Sequence, residues 1–203
     1  MDADEFQKLL SVPRETMVHF ETYAALLDKW QRSINLVSDS TLQDKWLRHF
    51  YDSAQLMEYI EVSDEPQKIL DLGSGAGFPG LVVSLLGAGE VHLIESVGKK
   101  CSFMKQVIQQ TGMNATVHNE RIERMEPFAV DLITARACAD LEKLLDLTSP
   151  FMTEKTKCLF LKGGKADGEI AAARKKWSFD VKKSVSKSEE SGMILSLSHI
   201  KRI

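Results

Sequence analysis

Three glycines at alternate positions, Gly73, Gly75 and Gly77, mark the stretch of this sequence with the clearest chemical potential. They follow a short apolar run, Lys68–Leu72, which carries an acid at Asp71 and is typical of a buried parallel strand. Glycine after such a strand lets the backbone turn at positive φ and approach a ligand without a Cβ in the way. A simple strand-to-helix turn needs one such glycine, so three of them predict a ligand-binding loop.

A carboxylate ends the next predicted strand, Val91–Glu95, and lies 22 residues beyond Gly73. This is close to the separation of about 20 expected for an acid that accepts hydrogen bonds from both hydroxyls of a ribose. In an open α/β sheet, ligands bind beyond the carboxyl ends of the strands, where the glycine loop and Glu95 are both expected. We therefore predict a nucleotide site formed by this loop, by Glu95 and by its neighbour Ser96.

Two kinds of nucleotide fit the glycine loop. Gly75, Gly77 and Gly80 match the G-x-G-x-x-G pattern of dinucleotide-binding proteins. Against a dinucleotide, Asp71 would repel a pyrophosphate, and no substrate domain of a dehydrogenase follows in the sequence. An acid, a G-x-G-x-G loop and a ribose carboxylate form the arrangement of S-adenosylmethionine-dependent methyltransferases, in which Asp71 can face the ammonium group of the ligand. We therefore expect S-adenosylmethionine as the cofactor.

A third group of candidate cofactor contacts follows the third predicted strand, in the segment Asn119–Glu123. In methyltransferases of this fold, that position flanks the adenine ring with an apolar side chain and a hydrogen-bonding neighbour. Ile122 and Glu123 are the candidates for these two roles. An acidic turn that starts a helix would have the same composition.

Strands and helices alternate from Gln67 onward, which predicts right-handed βαβ units and a Rossmann-like α/β fold with a mostly parallel sheet. The last two strand-like runs have no helix between them, so an antiparallel hairpin is expected to end the sheet. The predicted strands are Lys68–Leu72, Val91–Glu95, Ala115–His118, Val130–Thr134, Lys157–Leu161, Phe179–Val185 and Met193–Ile200. The predicted helices are Gly80–Leu86, Lys99–Thr111, Leu141–Leu147 and Ala166–Lys176.

The first 62 residues have a helical pattern instead. Apolar residues recur at helical spacing over Met17–Leu27, and a second helix is expected over Thr41–Ile60. The polar stretch Ser63–Pro66 is expected to be a hinge. We predict a single methyltransferase domain over residues 1–203, made of a helical extension (1–62) and a Rossmann-like core (67–203).

Length and composition are those of a soluble protein with one core. The chain has 203 residues, of which 43% are hydrophobic and 27% charged. No apolar run approaches the roughly 18 residues of a membrane helix, and the acidic start Met1–Phe6 is unlike a secretory signal. Cys101, Cys138 and Cys158 have no spacing typical of disulfides or metal ligands. We expect a cytoplasmic protein with no membrane span and no metal site.

The net charge of −3 conceals a basic segment. Between Lys155 and Lys187, ten Lys or Arg residues oppose three acids, so this segment carries +7 and the rest of the chain −10. Clustered Lys and Arg suit a polyanionic partner such as RNA. A solvated lysine-rich face would have the same composition.

The stretch Asp131–Cys138, which runs from the fourth predicted strand into the loop after it, indicates which kind of atom accepts the methyl group. It lacks the Asn/Asp-Pro-Pro-aromatic motif with which methyltransferases bind exocyclic amines. Cys138 has no neighbouring proline of the kind that accompanies a pyrimidine-C5 nucleophile, so it is expected to be a buried structural thiol. A ring nitrogen such as guanine N7 has no proton to lose and needs only alignment with the methyl donor. The sequence therefore favours such a ring nitrogen.

Motifs along nearly the whole chain resemble the bacterial 16S ribosomal RNA guanine-N7 methyltransferase family, also called glucose-inhibited division protein B. Phe78-Pro79 and Arg48-His49 are the most family-specific parts. The family usually has serine where Ala135 stands, although the arginine that follows is kept. The matching segments are Asn35–Ser38, Arg48–Ser53, Asp71–Gly80, Glu95–Lys100, Arg121–Glu123, Ala135–Ala137 and Leu161–Gly164.

The resemblance implies methylation of one guanine in the decoding-region loop of small-subunit ribosomal RNA. Arg136, at the end of the fourth predicted strand, is the candidate catalytic residue. It could contact the cofactor or an RNA phosphate, or it could anchor a carboxylate such as Asp71. The cofactor contacts that the resemblance implies are Gly73, Phe78, Ile122, Glu123 and Arg136.

Six basic residues near strand ends or in the helical extension are candidate RNA contacts. Together they are expected to ring the cleft with positive charge. Because A-form grooves hide base edges, selection of one guanine requires an unstacked or looped base. The six residues are Arg48, His49, Lys99, Lys100, Lys162 and Lys165.

Two other functions fit the same residues. One is a methyltransferase that acts on another RNA position or on a small molecule. The other is a nucleotide-binding regulatory protein without catalysis. For the leading function, we expect a monomer that acts on 16S ribosomal RNA or on the small ribosomal subunit.

Overall fold

A single twisted sheet organises the computed structural model, which describes residues 1–61, 65–136 and 138–203. Within these ranges the sheet has seven strands in the order β3-β2-β1-β4-β5-β7-β6. Strands β1 to β5 pair in parallel, and β7 pairs antiparallel with both β5 and β6. The strands are β1 Gln67–Leu72, β2 Gly89–Ile94, β3 Ala115–His118, β4 Val130–Arg136, β5 Met152–Lys162, β6 Trp177–Val185 and β7 Met193–Arg202.

Helices cover the faces of this sheet in the order that the sequence predicts. The predicted α/β class, the mostly parallel sheet and the closing hairpin are confirmed. Strand β5 begins five residues before its predicted start because the exposed polar run Thr153–Lys155 carries no apolar signal. The helices of the core are α5 Gly80–Leu85, α6 Gly98–Thr111, α7 Leu141–Thr148 and α8 Ala166–Ala173.

The helical extension begins with two regular helices, α1 Ala3–Leu10 and α2 Arg14–Gln31. Asp2 caps α1 by accepting a hydrogen bond from the backbone N–H of Glu5. The apolar stripe predicted for α2 is confirmed, since Met17, Phe20 and Leu27 are all buried. These buried side chains are what hold α2 against the rest of the protein.

The single helix predicted over Thr41–Ile60 is wrong. The chain instead forms α3 Asp39–Leu42, a π-helical turn Trp46–Tyr51, α4 Asp52–Ala54 and a 3-10 turn Gln55–Tyr59. The carbonyl of Arg48 accepts a hydrogen bond from the Arg136 side chain, and that of Asp52 accepts one from Gln55. These carbonyls therefore have partners outside the regular helical ladder, and π-helical turns are frequent at functional sites.

Aromatic side chains join the extension to the core. The Tyr23 ring stacks on Phe78 at 5.2 Å, and the Phe50 ring meets Phe78 edge-on at 5.3 Å. The Tyr23 hydroxyl donates a hydrogen bond of 2.5 Å to the Ala76 carbonyl in the glycine loop. One hydrophobic cluster accordingly contains buried residues of both parts, from Phe6 to Ile194.

Two sequence-based predictions about chain organisation are left open by the structure. Residues 62–64 of the expected hinge lie outside the described residues. The single-domain assignment stays a prediction, although the shared cluster favours it. None of the described helices is long and apolar enough to cross a membrane.

We expect Tyr23→Phe to lower the free energy of unfolding by about 1–3 kcal/mol, because the buried Ala76 carbonyl loses its donor while ring packing is kept. Denaturant unfolding followed by fluorescence measures this change. Tyr59→Phe is the control, because its ring packs against the same cluster from a partly buried position. Equal effects of the two substitutions would contradict a specific role for the Tyr23 hydroxyl.

Candidate active site

A cleft opens at the carboxyl ends of β1 and β4, the two central parallel strands. Because β1 pairs with β2 on one side and with β4 on the other, strand order reverses here, and such switch points bind ligands in open α/β sheets. The cleft consists of a larger cavity of about 690 Å³ and a smaller one of about 170 Å³. Gly73, Cys138 and Ala139 line both cavities, so these residues form the junction between them.

The glycine loop has the backbone conformation that the sequence predicts. Gly73, Gly75 and Gly77 have φ values of 64°, 58° and 90°, which favour glycine. A Cβ at Gly73 would lie 2.5 Å from the Sγ atom of Cys138, and one at Gly77 would collide with Leu81. Glycine is therefore required at Gly73 and Gly77 by the space available as well as by φ.

Glu95 connects the glycine loop to the start of α6. Its Oε2 atom accepts a hydrogen bond of 3.0 Å from the backbone N–H of Gly75, and its Oε1 atom accepts one of 2.8 Å from that of Val97. The carboxylate lines the smaller cavity with 8% of the residue exposed. The backbone donors hold the carboxylate in place, and its remaining lone pairs are free to accept further hydrogen bonds.

The smaller cavity brings together half of the ten predicted cofactor contacts, while Gly75, Phe78 and Arg136 line the larger one. Ile122 and Glu123 reach it from a 3-10 turn, Ile122–Arg124, that follows β3. Ile122 is buried, and Leu72 and Ile94 add apolar surface to the same cavity. The predicted residues that line this cavity are Gly73, Glu95, Ser96, Ile122 and Glu123.

Asp71 does not line either cavity. Its carboxyl is fully buried, accepts a 2.7 Å hydrogen bond from the Thr134 hydroxyl, and keeps its second oxygen without a hydrogen-bond partner. That oxygen faces the start of α5, where a Cβ at Gly80 would lie 2.8 Å away. Burial raises the pKa of Asp71 to about 6, against the hydrogen bond from Thr134. This placement does not support the expected contact with a ligand's ammonium group.

Phe78 forms the wall of the larger cavity next to the helical extension. Its ring is 3% exposed and stacks on His49 at 5.1 Å, in addition to its contact with Tyr23. The guanidinium carbon of Arg136 lies 5.0 Å from the centre of the same ring, within cation–π range. The two family-specific motifs, Phe78-Pro79 and Arg48-His49, therefore meet in space.

Arg136 anchors the irregular helical segment to the sheet. Its Nη1 atom donates to the Arg48 carbonyl at 3.0 Å and to His49 Nδ1 at 2.9 Å, and it lies 3.5 Å from Asp52 Oδ2. Of the alternatives that the sequence left open, this geometry matches the anchoring of a carboxylate, and the carboxylate is Asp52 rather than Asp71. Arg136 also lines the larger cavity, so its predicted role toward a ligand stays open.

His49 is neutral in this network. Burial, followed by the cations Arg136 and Arg48, lowers its pKa to about 3. Its Nδ1 atom accepts the hydrogen bond from Arg136, which assigns the ring proton to Nε2, where Thr41 Oγ1 lies at 2.9 Å. This environment does not support the expectation that His49 adds positive charge toward RNA.

The other predicted RNA contacts divide into paired and open residues. Arg48 pairs with Glu189 at 3.1 Å, and Lys162, with 5% of its side chain exposed, pairs with Glu169 at 2.7 Å. Lys99 and Lys165 are exposed, and the partly buried Lys100 lines the larger cavity. The open candidates are thus Lys99, Lys100 and Lys165.

Much of the positive charge of the basic segment is balanced within the protein. Lysines of this segment pair with acids, most of which lie outside it along the chain, and this reduces the excess charge available to a partner. The pairs are Lys157 with Glu61, Lys162 with Glu169, Lys176 with Glu142, Lys183 with Asp167, and Lys187 with Glu58.

Two features of the cleft were missed by sequence reasoning. Cys138, expected to be a buried structural thiol, is exposed and lines both cavities, while Cys101 and Cys158 are buried as expected. Asp52 accepts hydrogen bonds from Gln55 and Ser188 beside Arg136. Its only sequence signal is membership of the family motif Arg48–Ser53. Within the described ranges, no group of three or more His, Cys, Asp or Glu residues could hold a metal ion.

Comparison with known proteins is consistent with this geometry. Residues 16–195 match the GidB family model, described as rRNA small subunit methyltransferase G. The chain is 47% identical over 198 residues to ribosomal RNA small subunit methyltransferase G of Rhodospirillum centenum, covering 98% of this chain and 91% of that protein. It is 43% identical over 202 residues to the protein of the same name from Paramagnetospirillum magneticum, covering 100% and 98%.

Solved structures show the same fold at low sequence identity. The ribosomal protein L11 methylase of Lactobacillus delbrueckii matches with a TM-score of 0.60 at 19% identity, over 72% of this chain and 76% of that one. A SAM-dependent methyltransferase of Aquifex aeolicus matches with a TM-score of 0.59 at 14% identity, over 76% and 92%. The Rossmann-like methyltransferase fold is thereby confirmed. The extent and identity of the sequence matches show that the chain belongs to the GidB family of ribosomal RNA small subunit methyltransferases.

Proposed function

We propose that this protein transfers a methyl group from S-adenosylmethionine to N7 of a guanine in the decoding-region loop of 16S ribosomal RNA. The observation that carries the proposal is the junction of the two cavities at Gly73 and Cys138. The smaller cavity has the apolar and carboxylate groups that suit a nucleoside, and the larger one opens beside it with room for a base. Membership of the family supports ribosomal RNA as the substrate.

The residues of the smaller cavity fit the cofactor. Gly73, the loop glycine that lines this cavity, exposes its backbone with no Cβ in the way, and the Glu95 carboxylate suits ribose hydroxyls. Ile122 offers apolar surface to an adenine ring, and Glu123 and Ser96 offer polar groups at its edge. When bound, the cofactor supplies a methyl group on a positively charged sulfur, which a ring nitrogen can attack directly.

The wall of the larger cavity suits a reaction that needs no general base. N7 of guanine has a lone pair and releases no proton when it is methylated. His49 is neutral, and both of its nitrogens are engaged by Arg136 and Thr41. His49 and Thr41 therefore contribute by holding Phe78 and Arg136 in fixed positions. The rate enhancement then comes from alignment of the reactants.

We place the RNA at the open face of the larger cavity. Lys100 lines this cavity, and Lys99 and Lys165 are exposed, so these three lysines are the candidates for phosphate contacts. A guanine in a loop can enter the cavity, whereas a base within an A-form helix would be out of reach. We further propose that the protein acts as a monomer in the cytoplasm, on 16S ribosomal RNA or the small subunit.

The function is tested with small ribosomal subunits isolated from cells that lack the modification. Labelled S-adenosylmethionine and the purified protein are expected to transfer label to 16S ribosomal RNA, and mass mapping is expected to locate it on guanine N7. Already modified subunits are the control and should accept no label. Cofactor binding without transfer of label to the unmodified subunits would refute the proposal. Label on an atom other than guanine N7 would show that the protein methylates a different position.

We expect Glu95→Gln to weaken cofactor binding by about 1.5–3 kcal/mol, because the charge-assisted hydrogen bonds to ribose and to the loop backbone are lost. Isothermal titration calorimetry measures the change. Glu90→Gln makes the same change of charge near the opposite end of β2 and should leave affinity unaltered. Unchanged affinity in Glu95→Gln would show that the ribose assignment is wrong.

We expect Lys100→Ala to weaken RNA binding and to reduce the slope of log K against log salt by about one, because one phosphate contact is removed. Filter binding at several salt concentrations gives the slope. Lys155→Ala, an exposed site near the amino end of β5, is the matched control. Identical slopes for the two variants would exclude Lys100 from the RNA interface.

A further inference from the structure

Residues 138–140, which directly precede α7, pass through the candidate site. Cys138 and Ala139 line both cavities, and the Sγ atom of Cys138 lies against the backbone of Gly73. We call residues Cys138–Asp140 the cleft loop. Because this loop forms the junction of the two cavities, its position determines how a ligand in one cavity faces a ligand in the other.

One ion pair, Lys162 with Glu169, hydrogen-bonds to the backbone before and after Asp140 of the cleft loop. Lys162 Nζ, at the end of β5, donates a 2.5 Å hydrogen bond to the carbonyl of Ala139 and lies 2.7 Å from the Glu169 carboxylate of α8. The same carboxylate accepts a 2.9 Å hydrogen bond from the backbone N–H of Leu141. The pair therefore fixes the carbonyl just before Asp140 and the N–H just after it.

The low exposure of this ion pair distinguishes it from a salt bridge on the protein surface. The Lys162 side chain is only 5% exposed, and that of Glu169 is 23% exposed. A buried pair gains little net stability, because the cost of removing two charges from water offsets their attraction. By contrast, Glu142 of α7 and Lys176, which follows α8, form a more exposed pair at 2.5 Å, and among the described residues neither side chain hydrogen-bonds to the cleft loop.

We propose that Lys162 and Glu169 are positioning residues that hold the cleft loop at the junction of the two cavities. Lys162 thus acts inward on the protein backbone, where sequence reasoning expected it to contact RNA. The consequence for catalysis, alignment of the base with the methyl donor, rests on the proposed function. The consequence for the loop itself is independent of that function.

Cys138 provides a direct probe of the loop, because it is the exposed cysteine while Cys101 and Cys158 are buried. We expect Glu169→Gln, which removes the charge but keeps the shape, to raise the labelling rate of Cys138 by a disulfide reagent about tenfold, because release of the loop frees the Sγ atom from its contact with Gly73. Glu142→Gln, the matched control on the neighbouring pair, should label at the wild-type rate. Rates are compared at the high-pH plateau, since the reactive form is the thiolate and nearby charges alter its fraction.

Equal plateau rates in Glu169→Gln, Glu142→Gln and the wild type would overturn the proposal. If Glu169→Gln lowers the Tm more than the control, the double variant Lys162→Met/Glu169→Met, which leaves neither charge of the pair, is labelled below its own Tm. Faster labelling in the double variant supports the positional role, and a wild-type rate overturns it.

Measurements of kcat and KM distinguish a loss of alignment from a loss of stability. We expect Glu169→Gln to lower kcat about tenfold, with KM for ribosomal RNA changed less than about twofold, because misalignment affects the transition state rather than binding. Faster labelling with unchanged kcat would overturn the alignment role. Because labelling requires neither RNA nor cofactor, failure of the proposed function would leave the labelling result intact.

Discussion

The packing of the Phe78 ring is the interaction on which the rest of the site depends. Four side chains from three parts of the chain contact it: Tyr23 of α2, His49 and Phe50 of the π-helical turn, and Arg136 of β4. Each aromatic or cation–π contact contributes about 0.5–1.5 kcal/mol beyond burial, so the cluster is a substantial constraint. Because Phe78 directly follows Gly77, fixing its ring fixes the end of the glycine loop as well.

This packing also determines how charge is distributed around the cleft. Arg136 is largely buried, and burial of His49 together with the cations of Arg136 and Arg48 lowers the pKa of that histidine to about 3. The carboxylate of Asp52 compensates part of the Arg136 charge on the other side. The inner wall is therefore aromatic and internally paired, while the exposed cations Lys99 and Lys165 lie near the ends of the strands.

The features that the sequence predicted well are those with a local signal. Alternating apolar runs predicted the parallel strands, and the spacing from Gly73 to Glu95 predicted that both would line one cavity. The charge state of His49 and the pairing of Arg48 and Lys162 were not predictable in this way. They depend on partners distant in sequence or on desolvation, neither of which leaves a periodic pattern.

Two structural requirements favour glycine at position 73: the backbone conformation and the space beside it. Its positive φ suits the close approach of a ligand, which is the usual reason for a glycine at this point of a Rossmann-like fold. In this protein the space beside Gly73 is also occupied by Cys138, whose Sγ atom would lie 2.5 Å from a Cβ at that position. The missing Cβ at Gly73 therefore leaves room for the cleft loop as well as for a ligand. The loop must then be held from its far side, where Lys162 and Glu169 bind its backbone, because nothing at Gly73 projects toward it.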